Sequence, residues 1–535
     1  MSSKRKMWFT IFGLAVGILV GIYIQPVISG DNIYEQVKKF QEVLFTVQKN
    51  YVEEVDTPKL VEAAIDGMLS KLDPHSIYIP AAQQKRVEED FRGNFEGIGV
   101  EFDVIRDTIT IVSPISGGPS EALGIMSGDK IVKIDDANAV GMSRDDVPKK
   151  LRGPKGTHVK VSIVRVGAKD PLQFDIKRDK IPLYTVDAAF VDENGVGYMA
   201  INRFAEPTYQ EMMVNLERLN KSGMKRLILD LRGNSGGYMD RAIAMADEFI
   251  PGGKRIVYTK SERSEAEEVF TSEDGQAYEK VPLIVLIDQG SASASEIVAG
   301  AIQDLDRGLI VGETSYGKGL VQKQFPLSDG SAFRVTVARY YTPSGRLIQR
   351  PYDKGREEYF KSERPEEEEG DNVDHLTEIA DSSRPVHRTS GGRKVLGGGG
   401  ITPDYVVKHD TLTRTAIDMI RKNLIWEYVE GFMSRNGQSL RAKYADNFQS
   451  FLKDYQVSDQ MWTEFVKLAK DKGVDVKENE AAADSKHMKS RLKSRIARSI
   501  WGNNEFYQVA LQDDKQYRRA LTLFPEASKI SKLTR

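Results

Sequence analysis

The chain has 535 residues, of which 40% are hydrophobic and 29% charged, so it can bury sizeable cores and is not disordered as a whole. Its 76 basic and 78 acidic residues give a net charge of −2, which argues against a general nucleic-acid binder. The absence of cysteine excludes disulfides, thiolate catalysis and cysteine-ligated metal sites. The six histidines form no helical zinc motif, and the sequence predicts neither a metal nor a cofactor.

The N-terminus carries a candidate membrane segment. Basic residues at 4–6 precede an uncharged run over 7–24, and eighteen helical residues rise about 27 Å, enough to cross the hydrocarbon core of a bilayer. We predict that residues 1–30 form a signal anchor crossing the cytoplasmic (inner) membrane once. Because positive residues stay inside, the rest of the chain is expected on the extracytoplasmic, periplasmic side. The alternative is a cleaved signal peptide, although Val27–Gly30 is a poor cleavage site.

Two regions of different character follow. Residues 31–92 read as an N-terminal helical region, because apolar residues recur there every three or four positions. Residues 93–180 alternate glycines with short β-rich runs and form a module of domain size. One helix candidate, Arg144–Leu151, interrupts its strands.

The larger part of the chain combines an α/β core with a helical region. Residues 181–410 alternate strands and helices, which predicts an α/β layer with mostly parallel strands. Residues 351–400 read as a loop-rich surface excursion within that core. Residues 411–535 return to helical periodicity. Its final stretch, 486–535, holds twelve basic and four acidic residues, which indicates a solvated face or a weak attraction to an anionic membrane or partner.

A serine-rich segment, Gly290–Glu296, follows the apolar strand predicted over 281–288. Small residues at a strand-to-helix turn can leave a nucleophile exposed among backbone N–H groups, as acyl transfer requires. The structural alternative is a capping box, in which Ser293 and Glu296 merely start the next helix.

A lysine between two glycines, Lys318, is the candidate base. No histidine lies within residues 181–345, so a Ser-His-Asp triad would need His387 or His409, whereas a Ser–Lys dyad needs neither. Such a lysine must have its pKa lowered by burial, and Gln322 could hold its amine by accepting a hydrogen. A phosphate-binding loop is the alternative, but the segment lacks the upstream glycine and the Ser/Thr of a Walker A motif.

A third segment, Leu229–Gly237, is again a strand-to-helix turn and is rich in glycine. Glycines let backbone N–H groups converge near the positive end of a helix, which suits an oxyanion hole. The alternative is a tight turn that needs positive φ.

Together these segments resemble the carboxyl-terminal processing proteases, also called tail-specific proteases. The resemblance covers residues 31 to about 410, and the segments that carry it keep the family's order and approximate spacing: Leu72–Ser76, Asp230–Gly237, Ser291–Glu296 with Gln303 and Asp304, and Gly312–Gly319 with Gln322. The fold that it implies is a crotonase-like α/β protease core within a multidomain chain.

The resemblance also implies roles. Ser293 would be the nucleophile and Lys318 the general base supported by Gln322, while Asp304 matches a family aspartate whose catalytic role is less secure. The oxyanion donors would be the amide of Ala294 and one amide of the glycine pair, Gly236 or Gly237.

By the same resemblance, the β-rich module at 93–180 is an inserted PDZ domain. Its carboxylate-binding loop would lie at Glu96–Val100, so that Ile98, Gly99 and Val100 bind the end of a peptide that adds to the sheet as a strand. Arg152 sits where related proteases couple ligand binding to the active site; its alternative role is a surface charge at a turn.

The sequence therefore predicts a membrane-anchored serine endopeptidase that cuts proteins and peptides with free C-termini. Its N-terminal helices could form a homodimer. The first alternative is a non-catalytic PDZ scaffold on a degenerate protease fold, which the joint presence of Ser293, Lys318 and Gln322 disfavours. The second is a crotonase-like acyl-CoA enzyme, which needs neither a serine–lysine pair nor a PDZ-like module.

Overall fold

The computed structural model describes residues 32–533 except 106, 166, 264–266, 362–368 and 374–383. The chain divides into two compact units, residues 1–72 and residues 73–535. The predicted membrane segment at 7–24 lies outside the described residues. Within the described ranges, no helix combines the length and the apolar character that crossing a membrane requires.

Residues 32–72, the described part of the first unit, contain two helices, as the apolar spacing predicts. Helix α1 covers Ile33–Asn50 and is capped by Asn32, whose side chain accepts from the backbone of the first turn. Helix α2 covers Thr57–Leu69 and is capped in the same way by Asp56. Large apolar side chains of α1 are exposed: Ile33, Tyr34, Val37, Phe40, Val43 and Phe45.

The second unit opens with three short elements and the β-rich module. The opening elements are β1 Ile77–Ile79, α3 Ala81–Arg92 and β2 Asn94–Gly97. The module then comprises β3 Val100–Ile105, β4 Thr108–Pro114, α4 Pro119–Ala122, β5 Lys130–Ile134, β6 Ala137–Asn138, α5 Val147–Leu151, β7 His158–Val164 and β8 Leu172–Lys177. The helix predicted from Arg144 begins only at Val147, because Pro148 fits the first turn of a helix.

The strands of the module form an antiparallel sheet in the order β3-β4-β5-β7-β8, with β6 beside β5. Among the described strands, β3 pairs with β4 alone, so its other edge is open to a further strand. Strand β9, Asp179–Pro182, follows the module and pairs with β2, which precedes it. The two strands thus hold the two ends of the module together.

The α/β core follows and is built around a seven-stranded sheet. Its elements are β10 Val186–Val191, β11 Val196–Ile201, α6 Thr208–Lys221, β12 Arg226–Asp230, α7 Met239–Asp247, β13 Arg255–Lys260, β14 Val269–Thr271, β15 Leu283–Ile287, α8 Ala294–Asp304, β16 Leu309–Gly312, β17 Leu320–Pro326, β18 Ala332–Tyr341, α9 Arg356–Lys361, β19 Gly370–Asp371, β20 Val386–Arg388, β21 Lys394–Leu396 and β22 Tyr405–Val406.

The sheet order is β10-β11-β12-β15-β16-β22-β19, parallel from β11 to β22 and antiparallel at both edges. This confirms the predicted mixed α/β fold with a mostly parallel sheet. All five residues of β15 are buried, as expected for a central strand covered on both faces. A second sheet, β1-β18-β13-β14 with β17 on β18, lies alongside.

The C-terminal region is helical, as predicted, but its last part belongs to the α/β core. Its helices are α10 Arg414–Arg421, α11 Leu424–Tyr444, α12 Phe448–Asp454, α13 Asp459–Asp471, α14 Glu478–Ala483, α15 Ser485–Ile500, α16 Asn503–Ala510, α17 Lys515–Thr522 and α18 Phe524–Ile530. Most of the helices before α16, together with Val509 of α16, build an apolar core of their own. In contrast, Leu511, Tyr517 and Phe524 share one apolar cluster with Tyr198 and Leu286 of the sheet.

Ion pairs use several charges of the basic C-terminal stretch. Arg498 lies 2.8 Å from Glu101 on the edge strand β3 of the module. Lys489 pairs with Asp459 at 2.6 Å, and Lys515 pairs with Asp410 at 2.5 Å. Part of this basic excess is therefore used within the protein.

Candidate active site

A cleft of about 1110 Å³ brings residues of all three predicted segments together. It is lined by Ser293, by Lys318 and Gln322, and by Gly236 and Gly237, beside residues of α3 and β18. The cleft is the candidate active site.

Ser293 stands at the turn between β15 and α8. Its backbone has φ 55° and ψ −111°, a conformation that residues with a side chain rarely adopt. A strained turn of this kind exposes a side chain at the end of a strand, with the positive end of the next helix beside it. The capping interpretation is also right in part, because the Ser293 N–H donates to Glu296 Oε2 at 2.8 Å.

The two flanking serines hold the neighbouring glycine segment. Ser291 Oγ donates to the Leu231 carbonyl at 2.8 Å, and Ser295 Oγ donates to the Asn234 carbonyl at 2.8 Å. Both side chains are fully buried. Of the three serines, Ser293 is the one that lines the cleft.

Lys318 is held in a polar relay. Its Nζ donates to Gln322 Oε1 at 2.8 Å, and Gln322 Nε2 donates to the backbone carbonyl of His75. Among these described side chains, no hydrogen bond joins Lys318 Nζ to Ser293 Oγ. Burial, reinforced by the positive charge of Arg334, lowers the pKa of Lys318 to about 8. With a pKa of about 8, roughly a tenth of Lys318 is neutral at pH 7, far more than for a free lysine.

Glu296 joins the serine turn to the lysine loop. Besides the Ser293 amide, its buried carboxylate accepts from Ser315 Oγ at 2.5 Å, from the Gly317 amide at 2.6 Å and from the Lys318 amide at 2.9 Å. Burial raises the pKa of Glu296, against the opposing effect of these donors. Sequence reasoning treated Glu296 only as a cap, because its partners lie about twenty residues further along the chain.

Tyr340 makes a second bridge between the two loops. Its hydroxyl lies 3.0 Å from the Ser293 carbonyl and 2.6 Å from the Lys318 carbonyl. Nothing in the sequence marked this tyrosine, because it belongs to the apolar pattern of β18.

The backbone of His75 lies in a turn in which Asp73 Oδ1 accepts from the N–H groups of His75 and Ser76. The structure adds that its carbonyl orients Gln322 and that its Nε2 lies 3.1 Å from the hydroxyl of Tyr359. Burial and the nearby charge of Lys318 lower the pKa of His75 to about 4, so its ring is neutral at physiological pH.

The glycine segment packs directly against Ser293. Gly236 has φ 99° and Gly237 has φ 146°, and a Cβ on Gly236 would lie 2.8 Å from the Ser293 Cβ. The Gly236 N–H donates to Asn234 Oδ1 at 2.9 Å. With that amide engaged, the amide of Gly237 is the better candidate to join that of Ala294, the first residue of α8, as an oxyanion donor.

Asp304 lies away from this cluster, at the far end of α8, about 16.5 Å along the helix from Ser293. Its carboxylate lies 2.7 Å from Arg346 and accepts from the hydroxyl of Ser344 at 2.6 Å, in a buried ion pair behind the cleft. The geometry gives Asp304 a role in packing this region.

In the β-rich module, the predicted carboxylate loop precedes the open edge of β3. Ile98 is buried in the module core, Gly99 has φ 74° and Val100 begins β3. Arg152 reaches outside the module, because its guanidinium lies 2.6 Å from Glu89 of α3. Neighbouring residues of α3, among them Phe91, line the cleft, so Arg152 is connected to it through one helix.

Comparison with protein families assigns most of these regions. Residues 195–354 match peptidase family S41, and residues 97–177 match the PDZ domain. Residues 25–82 match the N-terminal domain of the activating protease CtpB, and residues 416–502 match a family of unknown function.

Curated relatives agree with this assignment. A carboxy-terminal-processing protease of Bartonella bacilliformis is 37% identical over 351 residues, which cover 64% of this chain and 80% of that protein. The carboxy-terminal processing protease CtpA of Bacillus subtilis is 37% identical over 339 residues, covering 63% of this chain and 71% of the relative. A solved photosystem II D1 C-terminal processing protease has 29% sequence identity and a TM-score of 0.32, covering 58% of this chain and 89% of its own. The chain therefore belongs to the carboxy-terminal processing proteases of peptidase family S41, with a PDZ domain beside the protease core.

Proposed function

We propose that the chain is a membrane-anchored serine endopeptidase that cleaves by a Ser293–Lys318 dyad and recognises protein C-termini through its PDZ domain. One observation carries the catalytic part: Ser293, at a strained turn, faces the same cleft as a buried lysine with a lowered pKa.

In the proposed reaction, neutral Lys318 accepts the proton of Ser293 Oγ as that oxygen attacks the substrate carbonyl. Lys318 Nζ must first turn from Gln322 towards Ser293, which its flexible four-carbon stem allows. The amides of Ala294 and Gly237 stabilise the oxyanion, and the protonated lysine then donates its proton to the leaving amine. Water, deprotonated by the same lysine, hydrolyses the acyl-enzyme and restores Ser293.

C-terminal recognition would use the PDZ domain. The amides that follow Glu96 would bind a terminal carboxylate, and the peptide would pair with the open edge of β3. The ion pair between Arg152 and Glu89 connects this domain to α3 beside the cleft, which supports coupling between the two sites.

Anchoring and association are further parts of the proposal. The segment at 7–24 would hold the protein in the inner membrane with its protease core in the periplasm.

The exposed apolar side chains of α1, such as Val37 and Phe40, would be buried in a homodimer. Sedimentation of the chain lacking residues 1–30 would test this, since Phe40→Asp should then yield monomers.

A fluorophosphonate probe tests the dyad. The probe should label the wild-type protein, and Ser293→Ala should abolish both labelling and peptide hydrolysis. Ser222→Ala, a matched change at an exposed turn, should alter neither. Equal labelling of Ser293→Ala and the wild type would show that the reactive serine lies elsewhere, and no labelling of either protein would support the alternative of a non-catalytic scaffold.

A further inference from the structure

The cleft contains a charged side chain that the proposed reaction does not consume. Arg334 of β18 lines the cleft together with Ser293 and Lys318. Its guanidinium donates to Gln324 Oε1 at 3.0 Å, and its Cζ lies 5.5 Å from the centre of the Phe91 ring.

Arg334 is half-buried without an ion-pair partner. In the part of the chain that the structure describes, no carboxylate lies within 4.0 Å of its guanidinium, and burial lowers its pKa. Other buried arginines have more partners. Carboxylates pair with Arg232, Arg346 and Arg393. Arg178 and Arg307 each donate to three backbone carbonyls. A guanidinium has five donors, and the Gln324 oxygen accepts from only one of them. The remaining donors are available for an anion that enters the cleft.

The position of Arg334 in the sheet indicates how far it lies from the candidate base, and so from the bond that is cut. It lies opposite Gln324 in the β17–β18 ladder, and Gln324 is two residues from Gln322, which holds Lys318. Alternate residues of a strand share one face and are about 6.7 Å apart. An extended substrate repeats its side chains at the same interval, so a side chain about two residues from the cut bond can reach Arg334.

We propose that Arg334 is a specificity-determining residue that binds the carboxylate of an Asp or Glu side chain near the cut bond of the substrate. The inference rests on the proposed protease activity and adds a substrate class to it: proteins with an acidic residue within about two or three positions of the cleavage site. The guanidinium can bind such a carboxylate with two parallel hydrogen bonds.

An ion pair between Arg334 and a substrate carboxylate should also change the pKa of Lys318. The free charge of Arg334 contributes to the lowered pKa of Lys318. A bound carboxylate offsets that charge, so the pH limb of kcat, which reports on the enzyme–substrate complex, should lie at higher pH for an acidic substrate than for a neutral one.

Peptide pairs that differ only in one Glu or Gln, scanned through three positions on each side of the cut bond, test the proposal. All peptides share one free apolar C-terminus, so the PDZ contribution is constant. The wild type should prefer Glu at one position by about ten- to a hundredfold in kcat/KM. Arg334→Gln should abolish that preference, and Arg334→Lys should keep part of it. Arg339→Gln, an exposed change on the same strand, should leave it intact.

Absence of a preference at every position in the wild type, or its survival in Arg334→Gln, would overturn the proposal. Cleavage of the neutral peptides by wild type but not by Ser293→Ala establishes the protease activity independently. If no peptide is cleaved, anisotropy of labelled peptides on Ser293→Ala still decides, because the Glu peptide should bind more tightly and Arg334→Gln should remove the difference. Thermal melting of each variant reports its folding.

Discussion

At the scale of single residues, the site depends on one buried carboxylate. Glu296 accepts four hydrogen bonds, two from the Ser293 and Lys318 amides and two from the Ser315–Gly317 stretch. It thereby fixes the backbone of the candidate nucleophile and of the candidate base at once. Glu296 is fully buried and is not among the residues that line the cleft, so it is a positioning residue.

We predict that Glu296→Gln lowers both activity and stability. The new amide would place a donor against N–H groups that need acceptors, at a cost of about 1–3 kcal/mol. Peptide hydrolysis and thermal melting would measure the effect, with Glu217→Gln on the exposed face of α6 as the control. Unchanged kcat and melting temperature in Glu296→Gln would show that the carboxylate does not hold the two loops.

We predict that activity rises with pH through a limb near 8. The pKa of Lys318 lies at about 8, and a base must be deprotonated to accept a proton, so the rate increases as the pH rises through that value. His75, whose pKa is about 4, stays neutral throughout this range. A profile of kcat/KM between pH 5 and 10 would show the limb, and Arg334→Gln should move it to higher pH. A flat profile over this range would exclude Lys318 as the base.

At the scale of elements, helix α3 connects the PDZ domain to the protease cleft. The PDZ domain contacts α3 through Arg152 and Glu89, and α3 contributes Phe91 to the cleft. We expect any effect of ligand binding at the PDZ domain on the protease core to pass through this contact.

We predict that a substrate with a free apolar C-terminus is cut faster than the same peptide amidated at that end. Amidation removes one charge-assisted contact, so binding should weaken by roughly ten- to a hundredfold. If the PDZ domain only tethers the substrate, the loss disappears at saturating concentration; if it also gates the cleft, the loss persists and Arg152→Ala reproduces it. Lys155→Ala, which removes an exposed charge nearby, is the control. Equal cleavage of both peptides at all concentrations would contradict C-terminal recognition.

Local sequence patterns predicted most helices, strands and turns, but not the contacts between residues that are distant in the sequence. The unbroken apolar run of β15 and the small residues before α8 identified a buried strand and an exposed turn, because both are properties of adjacent residues. The Glu296 and Tyr340 bridges and the His75 carbonyl could not be predicted, since each joins residues that are distant in sequence. The helical periodicity of residues 411–535 predicted helices, but not that those after residue 502 cover the sheet.

At the scale of the whole molecule, the protease core is completed by the end of the chain. We predict that Phe524→Ala destabilises the protein by about 3–5 kcal/mol, because its ring is buried against the sheet. Denaturant unfolding would measure this, with Val214→Ala on the exposed face of α6 as the control. A loss no larger than that of the control would mean that the last helices contribute little to the core.

We predict that removing residues 1–30 releases a soluble, active enzyme, because the run at 7–24 is the segment of the sequence long and apolar enough to anchor it. Fractionation and peptide hydrolysis would test this. Should the truncated protein still sediment with membranes, a high-salt wash would separate an electrostatic contact of the C-terminal region from a true insertion.

Leu511, Tyr517 and Phe524 pack on one face of the sheet. Because they follow the sheet strands in the sequence, this face is covered late during biosynthesis. Ribosomes add residues from the N-terminus at about 5–20 per second, so Ser293 and Lys318 are made well before these three side chains. Until the last helices have left the ribosome, one face of the sheet has no apolar partner. The nascent chain therefore carries Ser293 and Lys318 on an incomplete scaffold until the helices from Asn503 onward have emerged and packed on the sheet.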